Sequence, residues 1–187
     1  MVGRSPTVTV PTGVPDAMPM STDSAEDDSC RSALTSDEHV EVQYACAFEP
    51  VPSEAQVHAW CTQIMRALHS NALLCVRIVD ADESQSLNRE YRGHDRPTNV
   101  LSFPAEIDNP DHQIPVLGDL LICAPIIAAE AMEQGKPLAH HWQHMLVHGI
   151  LHLMGYDHQL PDEQAEMEAQ EITLLAQMGV PDPYWIG

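Results

Sequence analysis

The chain has 187 residues, 44% of them hydrophobic, enough for one domain with a buried core. Its 28 acidic residues against 8 basic ones leave a net charge of −20 with histidine neutral. That balance argues against a protein that grips nucleic acid by bulk electrostatics, and no apolar run is long enough to span a bilayer. Residues 1–39 are rich in Pro, Ser, Thr and Asp, lack apolar periodicity, and are expected to form a disordered extension outside the fold. They hold no apolar stretch of the kind a secretory signal needs. The five cysteines (Cys30, Cys46, Cys61, Cys75, Cys123) are scattered, without a C-x-x-C pair. This pattern fits reduced thiols and a cytoplasmic location better than a disulfide framework.

The expected domain runs over residues 40–187. Val40–Phe48 alternates loosely and reads as a strand. Pro52 and Ser53 open a helix to about His69, with Val57, Trp60, Ile64 and Leu68 at helical spacing. Leu73–Val79 is apolar and β-branched, hence a strand. Ser84–Arg92 is expected to be a short helix, Val100–Pro104 a strand, Asn109–Pro115 a polar loop and Leu117–Cys123 another strand. Pro125–Glu133 reads as a helix that stops at Gly135, and Pro137 opens the next. On that helix Trp142, Leu146, Ile150 and Leu153 form an apolar stripe. His141, His144, His148 and His152 lie along another face, expected to look into a cleft. Pro161 starts a last helix, with Asp162, Glu163 and Glu166 near its positive end and Gly179 at its stop. The order β-α-β-α-β-β-α-α-α implies an α+β fold: one small mixed sheet packed with about five helices.

The most informative stretch is H-G-I-L-H-L-M-G-Y-D-H, His148–His158. His148 and His152, four apart, share a helix face. Gly155 can enter the left-handed region, end the helix and let His158 swing back toward them. Three imidazoles with an open fourth position make a catalytic zinc pattern, because structural zinc sites are closed by a fourth protein ligand. The spacing is that of the long zinc-protease motif, with Gly149 in place of the general-base Glu. The metal-binding half of that motif is kept and the proteolytic half is not. Three neutral ligands leave zinc its full charge, which suits an anionic substrate such as a phosphodiester. On spacing alone a His144–His148 pair is also open, and three histidines with a water would accept nickel or copper too.

A second constellation lies in Leu87–Pro104. Only six basic residues follow residue 40, and Arg89, Arg92 and Arg96 are three of them. Arg92 can grip a phosphate with two parallel hydrogen bonds, or can simply favour a helix C-terminus or pair with Asp95. Tyr91 and Phe103 can stack on bases or belong to the core.

Two blocks, Y-R-G-H-D-R-P-T-N-V-L-S-F-P (Tyr91–Pro104) and H-M-L-V-H-G-I-L-H-L-M-G-Y-D-H (His144–His158), resemble the YbeY endoribonuclease family of bacterial ribosomal-RNA maturation factors. The strand L-G-D-L-L-I-C (Leu117–Cys123) agrees with that family as well. The similarity spans about residues 40–180, and the Pro-rich extension has no counterpart in the family core. The resemblance implies a zinc-dependent, single-strand-specific endoribonuclease with a zincin-like metal helix. It places one zinc ion on His148, His152 and His158 and an essential role on Arg92. It further implies work on the 3′ end of 16S rRNA and in ribosome quality control, with small-subunit ribosomal proteins and an Era-type GTPase as partners and no membrane. The base stays open between the metal's water, Asp157 and the substrate's 2′-hydroxyl. Two other readings are a non-catalytic, zinc-stabilised assembly factor and, against the grain of Gly149, a metalloprotease.

Overall fold

A computed structural model of the chain describes residues 39–105, 114–158 and 160–185. The expected extension over residues 1–39, apart from His39, and most of the expected loop at Asn109–Pro115 lie outside the described residues.

The elements run β1 (Val40–Ala45), α1 (Glu54–Ala67), β2 (Leu73–Val79), α2 (Ala81–Arg92), β3 (Val100–Pro104), β4 (Val116–Cys123), α3 (Ala124–Glu133), α4 (Leu138–Leu153) and α5 (Pro161–Gln177). The fold is therefore α+β, as the element order implies. One four-stranded sheet has the order β1-β2-β4-β3. β1, β2 and β4 are parallel, and β3 runs antiparallel to β4 at the edge. Each parallel step is made through a helix, since parallel neighbours need a long crossover.

Alternation along the strands sends side chains to two faces. Leu74, Val76 and Ile78 of β2 join Leu120 and Ile122 of β4 in the main core, beneath α1 and α4. Trp142, Leu146 and Ile150 supply the α4 side of that core, and burial of α4 extends beyond this stripe to His141 and His144. On the opposite face Val79, Leu101, Leu121 and Cys123 form a smaller cluster with Leu87 of α2, Phe103 and Ile126. Each fully buried large aliphatic contributes roughly 1.5–3 kcal/mol against the entropy of ordering the chain.

Three boundaries differ from expectation, each for a local reason. β1 stops at Ala45, because its partner strand runs out at Val79 and the Ala47 N–H donates to Asp80 Oδ2 instead, at 2.9 Å. α1 ends at Ala67, and His69 leaves the helix at φ 54°. α2 begins at Ala81, not Ser84. Ser84 is fully buried and clamps the following loop: its hydroxyl donates to Thr98 O at 2.8 Å and accepts from Thr98 N at 3.0 Å. Asn88 adds a bond to Arg96 O at 2.8 Å. The turn between α2 and β3 is thus held from below. At α1 the expected start holds: Ser53 Oγ accepts from Gln56 N, and Gln56 Oε1 accepts from Ser53 N, a reciprocal cap.

Candidate functional site

The site is built where α4 ends. Met154 closes the helix, and Gly155 follows at φ +91°. Gly155 N donates to His152 O at 3.0 Å and Tyr156 N to Leu151 O at 3.1 Å. This pair of bonds is a Schellman stop, and it needs a residue that tolerates the left-handed region. The chain then doubles back, so His158 returns to the rings it left. The ring centroids of His152 and His158 are 5.0 Å apart, those of His148 and His158 5.7 Å, and those of His148 and His152 4.6 Å. One ligand nitrogen from each of His148, His152 and His158 lies within 4.8 Å of the others, so the three can hold a metal ion.

The tautomers follow from the hydrogen bonds. His148 Nδ1 lies 2.7 Å from Glu171 Oε1, and His152 Nδ1 lies 2.9 Å from the Tyr156 carbonyl. Both partners can only accept, so both Nδ1 atoms carry the proton and both Nε2 atoms carry a lone pair. Those two Nε2 atoms face each other at 3.1 Å. Two lone pairs at that distance repel, and a cation between them turns the repulsion into coordination. Burial, then the neighbouring His148, holds His152 below the ordinary histidine range, which keeps it neutral and ready to bind a metal.

His144 does not join them. It is buried, and its Nε2 points to Glu171 Oε2 at 3.2 Å. His141 is likewise buried, against Glu130 at 2.8 Å. The histidine face is therefore divided: its first half is paired with carboxylates, and His148 and His152 line the main cleft. The rings that converge on His148 are therefore those of His152 and His158, while His144 turns to Glu171.

The cleft has a volume of about 600 Å³, and Arg92, Asn99, Ser102, Asp157 and the three histidines line it. Arg92 is the last residue of α2. Gly93, at φ +73°, ends the helix, and the bound loop that follows leaves Arg92 at the cleft wall. Arg92 is exposed and has no hydrogen bond or ion pair among the described residues. Asp95, the alternative partner, goes to Arg89 at 3.4 Å. Asp157 lies beside the triad, with Oδ1 accepting from His158 N at 2.7 Å. Tyr91 and Phe103 meet edge to face at 5.0 Å. Phe103 packs on the smaller cluster, across the sheet from the cleft.

Gly149 has a role that its spacing did not announce. A Cβ there would come 2.2 Å from Leu120 Cδ1, so the glycine lets α4 lie close on the sheet. The position points into the core, and a glutamate has no room there.

Sequence reasoning missed Glu171. It lies in α5 among several other acidic residues, yet it is fully buried. It receives His144, His148 and the Tyr184 hydroxyl. Burial pushes its carboxyl up, but those three hydrogen bonds outweigh it and hold the group at about 2. No sequence signal separates it from its solvated neighbours.

Known proteins resemble this chain in sequence and in fold. The family model described as Endoribonuclease YbeY matches residues 43–179. The chain is 56% identical over 135 residues to a protein named Endoribonuclease YbeY from Halorhodospira halophila, covering 71% of this chain and 88% of that one. In fold it is similar to a Thermotoga maritima protein solved in solution, with a TM-score of 0.50 at 22% identity, over 79% of this chain and 99% of that one. With a family model that matches residues 43–179, the α2–β3 turn and all three histidines among them, and a relative at 56% identity, the chain belongs to the YbeY endoribonuclease family.

Proposed function

We propose that this protein is a zinc-dependent, single-strand-specific endoribonuclease, with residues 40–187 as its catalytic domain and residues 1–39 as an extension. The observation that carries the reading is the meeting of His148, His152 and His158 with the exposed Arg92 in one cleft. The donor set fits a divalent ion of zinc's kind: three neutral nitrogens, two of them with lone pairs opposed at 3.1 Å. His148, His152 and His158 would hold it. The chemistry supplied there is Lewis acidity toward a phosphodiester oxygen and acidification of a water molecule.

The chain's own residues do the rest. Arg92 binds the phosphodiester and neutralises the charge that develops as phosphorus gains an oxygen. Among the described residues its guanidinium has no partner, and Asp95 is held by Arg89. Asp157 is the carboxylate best placed to accept a proton from the attacking oxygen, being fixed by its bond to His158 N. Whether that oxygen is water or the 2′-hydroxyl is read from the product: a cyclic phosphate marks the 2′-hydroxyl and a 5′-phosphate excludes it. Peptide hydrolysis is disfavoured, since the position of the protease glutamate is filled by the sheet.

Family membership supports a role at the 3′ end of 16S rRNA and in ribosome quality control. On that reading the protein works in the cytoplasm with pre-rRNA, small-subunit ribosomal proteins and an Era-type GTPase. Among the described residues no helix is long and apolar enough to cross a membrane. The test is cleavage of a single-stranded RNA by wild type and by His152→Ala, purified side by side. Cutting by wild type alone supports a nuclease site. Equal cutting by both removes the activity from this cleft and favours a non-catalytic assembly factor.

A further inference from the structure

We infer that Glu171 and Tyr184 are positioning residues of the metal centre, which fix the His148 ring and set how tightly the site holds its ion. The inference rests on the metal reading above.

Glu171 comes from α5, 23 residues beyond His148, and is fully buried. A buried carboxylate is costly unless donors surround it. Here there are three: His148 Nδ1 at 2.7 Å, His144 Nε2 at 3.2 Å and the Tyr184 hydroxyl. One oxygen serves His148, and the other serves His144 and Tyr184. His144 and Tyr184 therefore hold Glu171 in place, and Glu171 holds His148.

Three consequences follow for His148. Its proton stays on Nδ1, so Nε2 is the atom offered to the ion. Its ring cannot rotate without breaking a charge-assisted bond. The ionised Glu171 also offsets part of the positive charge that an ion at Nε2 would bring. His152 has weaker support, since its Nδ1 meets a neutral backbone carbonyl. The centre is therefore asymmetric, with His148 as its charge-supported ligand.

Tyr184 brings the C-terminal segment into the site. The Tyr184 N–H donates to Asp182 Oδ1 at 2.8 Å, and Lys136 Nζ donates to Pro183 O at 2.8 Å. The Tyr184 ring meets His144 edge to face at 5.7 Å. Together with His148, His158 and Glu171 it lines a cavity of about 240 Å³ on the α5 side of the triad. These contacts hold the hydroxyl on Glu171 rather than on solvent.

The experiment is zinc affinity of the full chain, read by competition with a chromophoric chelator. It compares wild type, Glu171→Gln and Tyr184→Phe, with the visible absorption of bound Co2+ as a second readout. Glu171→Gln should weaken zinc roughly ten- to a hundredfold. Tyr184→Phe removes one hydrogen bond and should weaken it about three- to tenfold. Both should shift the Co2+ bands, which report ligand geometry, while the far-ultraviolet circular dichroism of Tyr184→Phe stays that of wild type. Zinc affinity within twofold of wild type in a folded Glu171→Gln overturns the inference. If that variant does not fold, unchanged affinity in Tyr184→Phe overturns it. Wild type that binds no zinc defeats the metal reading itself, and the inference with it.

Discussion

Gly149 lies beside His148 of the histidine triad yet faces away from the cleft. A Cβ there would sit 2.2 Å from Leu120 Cδ1 and 3.1 Å from both Leu120 Cδ2 and Val100 Cγ2. Carbon atoms prefer separations of about 3.5–4.0 Å, so Leu120 has to move. It is fully buried in β4 under α4, so its methyl group moves only against packed neighbours. Overpacking of this kind costs typically ~1–3 kcal/mol. Alanine in place of a helical glycine returns about 1 kcal/mol. Gly149→Ala should therefore lose a net ~0–2 kcal/mol, a fall in Tm of up to roughly 8 °C for a domain of this size. Gly149→Glu adds a carboxylate with no partner to the same overpacking, and should fail to fold. Thermal unfolding followed by circular dichroism measures both. A Gly149→Ala protein more stable than wild type, or a folded Gly149→Glu with peptidase activity, would refute the claim that the helix needs glycine here.

Arg92→Ala should abolish RNA cleavage while Tm stays within about 1–2 °C of wild type, because the side chain is exposed and unpaired among the described residues. A matching loss of stability would mean that Arg92 is structural. Ser84→Ala removes both bonds to Thr98 from a buried position and should cost about 1–3 kcal/mol, with slower cleavage because the Arg92–Asn99 turn loosens. Unchanged unfolding in urea would show that the turn holds itself. Glu130 supplies a pH dependence. Burial raises its carboxyl, but hydrogen bonds from His141 and Asn99 prevail and lower it below the usual carboxylate value. A group lowered in the folded state adds stability above its unfolded pKa and loses it as pH falls through the folded one. Wild type should therefore lose more stability than Glu130→Gln on acidification from pH 6 toward pH 3, and parallel curves would contradict this.

Much of the fold was legible because short-range patterns dominate it. The apolar run of β2, the stripe Trp142–Leu153 and the proline and glycine stops mark their elements directly. Helix starts were less visible: the first turn of α2, Ala81-Asp82-Glu83, has only the small Ala81 to announce it. Strand order was not legible either, since pairing β2 with β4 across β3 depends on the whole sheet. At the site, the i,i+4 pair and the helix-ending Gly155 predicted how three rings meet. What escaped is set by distant chain. Glu171 reads like any acid on an acidic helix until α5 packs on α4, and Tyr184 reads like a tail residue. Gly149 reads as a missing base, whereas its surroundings make it the seat of the helix on the sheet.

The central claim is that the three histidines bind a metal required for cutting RNA. The most direct measurement is cleavage of a single-stranded RNA by one preparation before chelation, after exhaustive chelation, and after return of one equivalent of zinc per chain. The account predicts activity, then none, then recovery, with His148→Ala silent throughout. Undiminished cleavage by chelated protein whose metal content has been measured as nil would contradict it.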